Sequence, residues 1–378
     1  MKKLGFLALL CVMAGAANAQ FSIGNLVAVR VGDGSAALTS ASTAVFIDQY
    51  TTSGGALVNS TAINGLTMSG TSGSEGYLNV AYFGGDGSNV NNWGVSFGGY
   101  SAAAGTAGVA ATTSAATPRR AGVLRFDGTQ FGVNLTAGAN PFSATNLRGV
   151  SYSGVNNTYA AAGGNTGLVR ADGAGVSTIA STTVTNERTV QISGNDVFFG
   201  TGSGTTRGVY MALGAMTGSG ITATNIVNLG TAASPYDFEI MRDIAGTPVS
   251  ALVADDLTTA AGGLYFATGW TGSTFGAPTQ IMSATAMSTA LGLTGVGIRQ
   301  MVVSGTDVYA TTTEASANKI VKLSFAGGFA GGLTSASIVE TAGANTVFRG
   351  IEMVPEPASF AILGLGLVGL VARRRRKN

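Results

Sequence analysis

Four segments of the chain open on an arginine and run into an apolar strand: "LRGVSYSGVNNTYAAAG" from Leu147, "ERTVQISGNDVFFGTGSG" from Glu187, "IRQMVVSGTDVYATTTE" from Ile298 and "FRGIEMVPEP" from Phe348. In the first three a turn follows and a second strand returns. A recurring unit constrains the fold more than any single residue, because one such unit cannot bury its apolar face without neighbours. The arginines stand at 148, 188, 299 and 349, and the interval of 111 residues requires a further unit within it. "SPYDFEIMRDIAGTPVSALVADD", from Ser234, supplies it. With Asp237 as its start the spacings become 40, 49, 62 and 50 residues, near the ~40–50 of propeller blades. A looser unit begins at Glu75, in "EGYLNVAYFGGDGSNVNNWGVSFGGY".

The last unit offers one strand, "FRGIEMV", and then changes character. Three strands without a leading one stand at the other terminus: "NLVAVRV", "STAVFIDQY" and "GALVNSTAI". A ring closed by both termini accounts for both deficits. The expectation is an all-β protein, a β-propeller of about six blades, or seven, closed by N- and C-terminal strands. The alternative is a β-solenoid, whose rungs would recur every ~20–30 residues. Composition agrees with a packed β body. Hydrophobic residues make up 45% and aromatics 8%, enough for a core, while 58 glycines punctuate the apolar runs as turns.

The two ends differ from the body. Lys2 and Lys3, the apolar run from Leu4 to Ala14, and small residues at Ala17 and Ala19 have the form of a signal peptide of residues 1–19, cleaved before Gln20. Cys11 lies inside the apolar run behind Leu10, which does not suit a lipoprotein site, so processing removes the only cysteine. At the other end, "VPEPASFAILGLGLVGLVARRRRKN" places Pro355, Glu356 and Pro357 before an uncharged stretch, residues 358–372. As a helix that stretch would span about 22 Å against ~30 Å of hydrocarbon. Arg373, Arg374, Arg375, Arg376 and Lys377 would anchor it in the cytoplasm. The stretch therefore reads as a transmembrane helix with a basic tail, residues 373–378. A buried core helix is the alternative, but Ser359 is its only polar residue, so it lacks a polar face.

The order Pro-Glu-Pro, short apolar segment, arginine cluster resembles the PEP-CTERM sorting signal of Gram-negative bacteria, also known as the ice-binding protein C-terminal domain. The resemblance implies export through the Sec translocase, transient anchoring in the inner membrane, recognition of the tail by an exosortase, and delivery to the cell surface or extracellular matrix. It covers residues 354–378 and gives an address rather than an activity. The body, residues 20–353, is similar in "RVGDGSAALTSASTAVFIDQY", "SEGYLNVAYFGG", "SPYDFEI", "LVADD" and "VYATTTEASAN" to a Gly-rich, propeller-like family of secreted bacterial proteins that often carry this tail.

Chemistry is narrowed mainly by exclusion. The chain has no histidine and the mature form no cysteine, which removes His-based triads, imidazole acid–base catalysis, thiol catalysis and Cys or His metal sites. Without the two terminal basic segments, 13 basic residues face 18 acidic ones, a net charge near −5 that argues against nucleic acid. The densest carboxylates are Asp237, Glu239, Asp243, Asp255 and Asp256. Two of them at about 5–9.5 Å could hydrolyse a glycoside, and solvated strand ends are the alternative. Asp-Gly pairs at Asp33, Asp86 and Asp127 suggest calcium, with Asp86, Ser88, Asn89 and Asn91 the best oxygen cluster, or simply hairpin turns. No glycine cluster is followed by the Lys-Ser/Thr of a P-loop, and the threonines form no ranks suited to ice. Trp93, Tyr100 and Trp270 could stack on sugars or fill blade cores. The expected function is a non-enzymatic binding or structural component, without cofactor unless calcium binds, associated with exopolysaccharide or another envelope component. A carboxylate-dependent glycan hydrolase or lyase is the alternative.

Overall fold

The computed structural model describes residues 21–85, 87–136 and 140–356. Six antiparallel four-stranded sheets surround a central channel. Their inner strands are Asn79–Tyr82, Leu147–Ser153, Glu187–Ser193, Pro235–Arg242, Ile298–Ser304 and Val347–Met353. Each packs against the next and the last against the first, so the ring is closed. These sheets are blades one to six of a β-propeller, as the repeat spacing predicts.

Blade six joins the two ends of the chain. Val347–Met353 pairs with Leu26–Val31, Leu26 opposite Met353 and Val31 opposite Val347. Val45–Tyr50 and Leu57–Ala62 complete the sheet outward. Both termini thus fill one blade, so the ring closes at the join of the chain ends and only the outer strand of each blade keeps a short free edge.

The core is divided into six apolar clusters, one at each junction between blades. Val27, Val29 and Ile47 of blade six meet Leu78, Val95 and Phe97 of blade one. Val302 and Tyr309 of blade five meet Leu26, Phe348 and Ile351 of blade six. Because each sheet is covered on both faces, its strands are apolar on both sides. In "TYAAAG", Ala161 faces blade one while Ala160 and Ala162 face blade three. Phe198 and Phe199 likewise serve opposite junctions. Each large side chain buried this way stabilises the ring by about 1.5–3 kcal/mol.

The long interval before blade five holds the helix Ala284–Ala290, capped by Ser283, whose Oγ accepts the Ala286 N–H at 3.1 Å. In blade four the register places Tyr236, not Asp237, at the position of the repeat arginine. In blades two to six the pairing slips at that position, between Leu147 and Gly149, Glu187 and Val190, Pro235 and Asp237, Ile298 and Met301, and opposite Arg349. Such a bulge re-aims the side chain it carries. Every inner strand starts at this level, the channel mouth, and runs to the far face.

Candidate functional site at the channel mouth

Five bulges, with Tyr77 just before the inner strand of blade one, gather one side chain per blade. In ring order these are Tyr77, Arg148, Arg188, Tyr236, Arg299 and Arg349. The two tyrosines come from opposite blades, yet their rings lie 6.1 Å apart across the mouth. Arg148 and Arg188 flank this bridge on one side, Arg299 and Arg349 on the other. The guanidinium carbons of Arg188 and Arg299 sit 4.0 and 5.4 Å from the Tyr236 ring centroid, a cation–π arrangement shared by two cations.

Carboxylates lie near this positive charge, Asp256 by Arg188 and Arg299, Glu75 by Arg349 and Glu187 by Arg148, but without direct pairing. None of the four arginines takes part in an ion pair among the described residues. All four keep a buried Nε without a partner, as does the Tyr77 hydroxyl. Arg148 donates to the Glu187 carbonyl at 3.1 Å and Arg349 to the Gly70 carbonyl at 3.0 Å. Burial, then the neighbouring Arg188, pulls Arg148 down to about 10, and burial with Arg299 does the same for Arg349. Arg119 provides the contrast. It is fully buried, yet its guanidinium donates to the carbonyls of Ala110, Thr112, Thr117 and Thr145 at 2.6–3.2 Å and lies over Tyr100. Arg119 ties a loop together, whereas the mouth arginines retain free donors in a fork geometry suited to carboxylate, sulfate or phosphate.

Glycines permit this crowding. An added Cβ on Gly73 would fall on Arg299 Nη1, and one on Gly350 would strike the Gly76 carbonyl and Gln300 Oε1. Gln300 bridges blades just below the mouth: its Oε1 accepts from the N–H of Leu78 at 2.9 Å and of Ile351 at 3.0 Å, and its Nε2 donates to the Leu78 carbonyl at 2.6 Å.

Below this crossbar the channel turns acidic. A cavity of about 220 Å³ is lined by Asn79, Ser151, Gln191, Glu239 and Glu352, among others. Burial pushes Glu239 up to about 7 and Glu352 well above the carboxylate range, the latter helped by Glu239 and Asp237. Asp237, whose Oδ2 accepts the Met301 N–H at 2.9 Å, is pushed by burial up to about 8. Among the described residues no group of three or more acidic side chains is arranged to hold a metal ion.

The carboxylates dense in sequence are thereby dispersed. Asp237 and Glu239 face the channel. Asp255 is fully buried and accepts the N–H groups of Ser234 and Leu257. Asp256 lies near Arg299 and Arg188, and Asp243 holds an exposed turn through the N–H groups of Ala245 and Thr247. Of the oxygen cluster, Asp86 lies outside the described residues, and Asn89 caps a short 3-10 turn by accepting the Asn91 N–H. Trp93 packs on Tyr82 and donates to the Gly87 carbonyl at 3.1 Å. Tyr100 is fully buried against Glu75, and Trp270 rests on Phe275. The cleavage residues Ala17, Ala19 and Gln20, Pro357, the apolar run and the anchor Arg373–Lys377 lie outside the described residues. The mouth arginines are visible in sequence as repeat markers, but nothing in the spacing says that they converge. Glu352 carries no sequence signal of its own.

Fold and ending together define a class: a six-bladed propeller that carries a C-terminal sorting signal. Residues 354–376 match the PEP-CTERM protein-sorting motif, so the chain is an exported, membrane-anchored precursor processed by exosortase for the surface. No curated protein is significantly similar in sequence. Among solved structures, a periplasmic gluconolactonase of Pseudomonas aeruginosa is similar at 13% identity and a TM-score of 0.45, over 85% of this chain and 83% of that one. A putative 6-phosphogluconolactonase from Bacteroides uniformis gives 12%, 0.44, 84% and 82%. PorZ, a surface component of the type-IX secretion system of Porphyromonas gingivalis, gives 15% and 0.42, over 80% of this chain and 39% of that one.

Proposed function

We propose that this protein is a non-enzymatic surface module whose channel mouth binds an acidic extracellular polysaccharide. One observation carries the reading: four arginines with unpartnered donors converge around a pair of tyrosines. A guanidinium fork matches a carboxylate in two bonds, and the buried tyrosines hold the guanidiniums in place rather than meet the sugar. The site is local, because the body as a whole is weakly acidic, so the mouth is a basic spot in an acidic surface. Loop-rich propeller faces are suited to this role.

The test compares retention on a uronic-acid polymer with retention on the same polymer after carboxyl reduction. Wild type should bind the first, lose binding as salt rises, and ignore the second. Arg188→Leu/Arg299→Leu should abolish retention while keeping the melting profile. Equal retention of both polymers would show that the mouth does not read charge. Catalytic release of sugar ends, lost in Asp237→Asn/Glu239→Gln, would establish the hydrolase reading instead.

A further inference from the structure

The last inner strand ends at the face opposite the arginines and delivers the sorting motif there. Val354 is fully buried and pinned to the start of blade six: its N–H donates to the Asn25 carbonyl at 2.9 Å, and its carbonyl accepts the Gly24 N–H at 3.0 Å. Glu356 lies beside Gly24. Three residues, Pro355 to Pro357, then separate the pinned Val354 from the uncharged apolar run 358–372. Fully extended they reach about 11 Å. A body anchored through that run therefore cannot stand more than about 11 Å off from the bilayer.

The same face carries the exposed apolar side chains. Val155 at 66%, Leu213 at 58% and Ile244 fully exposed occupy the turns that follow Leu147–Ser153, Arg207–Ala212 and Pro235–Arg242. Ile23, Leu57, Val176 and Val249 are exposed at the same end of their strands. None of the large exposed hydrophobic residues among the described ones lies in the loops of the arginine mouth. Position of the anchor and distribution of apolar surface are separate observations that agree.

We infer that in the membrane-anchored precursor this far face lies on the lipid surface, with Val155, Leu213 and Ile244 entering the interface and the arginine mouth directed away from it. Apolar side chains on a monotopic surface settle among headgroups and upper acyl chains, to a depth of about 5–10 Å. The occupant is lipid because a tether of about 11 Å leaves no gap for a second folded protein. Cleavage at the motif then releases the body and exposes the far face to water.

The experiment uses the full chain with Cys11→Ala, reconstituted in phosphatidylethanolamine–phosphatidylglycerol vesicles. A fluorophore is attached in turn at Val155→Cys, Leu213→Cys, Ile244→Cys and, on the mouth side, Ser316→Cys, an exposed position in the turn after Asp307–Thr312. The first three should be quenched by brominated lipid and lose most of their quenching by aqueous iodide; Ser316→Cys should behave in the opposite way. In the unlabelled chain both tryptophans, Trp93 and Trp270, stand at the far ends of their strands, so brominated lipid should quench the intrinsic fluorescence as well. Iodide access equal at all four sites would overturn the inference. So would shielding of the first three sites from iodide and lipid alike, which would mean that protein covers the face.

Discussion

Replacing Asp237 with Asn should make the propeller more stable at pH 8 and leave it almost unchanged at pH 4. Asp237 is 3% exposed and burial holds its carboxyl near 8, about four units above the ~3.9 of an unfolded chain. Below pH ~4 it is protonated in both states and costs nothing. As pH rises from there the unfolded chain ionises first, so stability falls by about 1.4 kcal/mol per unit until the folded group also ionises near pH 8. At pH 7 this amounts to about 4 kcal/mol. Glu239 and Glu352 face the same channel and titrate with it, so the single variant should recover roughly half, about 2 kcal/mol. Asn preserves the shape and can still accept the Met301 N–H that Asp237 Oδ2 accepts at 2.9 Å. Urea unfolding of the body at pH 4, 6 and 8 measures the effect, and about 2 kcal/mol corresponds to roughly 5 °C in a thermal melt. A wild type whose stability is flat between pH 4 and 8, or a variant with the wild-type slope, would refute the idea that the channel carboxylates are held protonated.

Glu187→Gln should also stabilise, by about 1–3 kcal/mol at pH 7 and by nothing at pH 4, because both carboxyl oxygens are buried without partners and burial pushes the group well above its usual range; denaturant titration at the two pH values checks this. Gly73→Ala should displace the Arg299 guanidinium, the flexible end of a side chain, and so weaken acidic-polymer retention while shifting the melting temperature little. Removing residues 20–32 deletes the partner of Val347–Met353 and should destabilise all six blades together, seen as a lower single transition in calorimetry, whereas unchanged melting would count against closure through blade six.

The sequence determined the architecture to a large degree. Short apolar strands between turns, a unit spacing near that of blades, one unpaired strand at the C-terminus and three at the N-terminus led to a closed ring of about six blades, which Leu26–Val31 against Val347–Met353 completes. It also determined the address, since the sorting motif is contiguous. These features are local, or are sums over local patterns, so they survive without coordinates. The candidate site is not local. Tyr77, Arg148, Arg188, Tyr236, Arg299 and Arg349 converge only because closure brings six inner strands to one axis and five bulges turn their side chains inward. A one-residue slip in blade four, from Asp237 to Tyr236, decides whether that blade offers the mouth a carboxylate or an aromatic ring. The acidic stretch from Asp237 to Asp256 looked like one cluster in sequence, yet a hairpin sends its members to the channel, the mouth and an exposed turn. Spacing along a chain fixes which strand a residue occupies; only packing fixes where around the ring, and toward which face, it points.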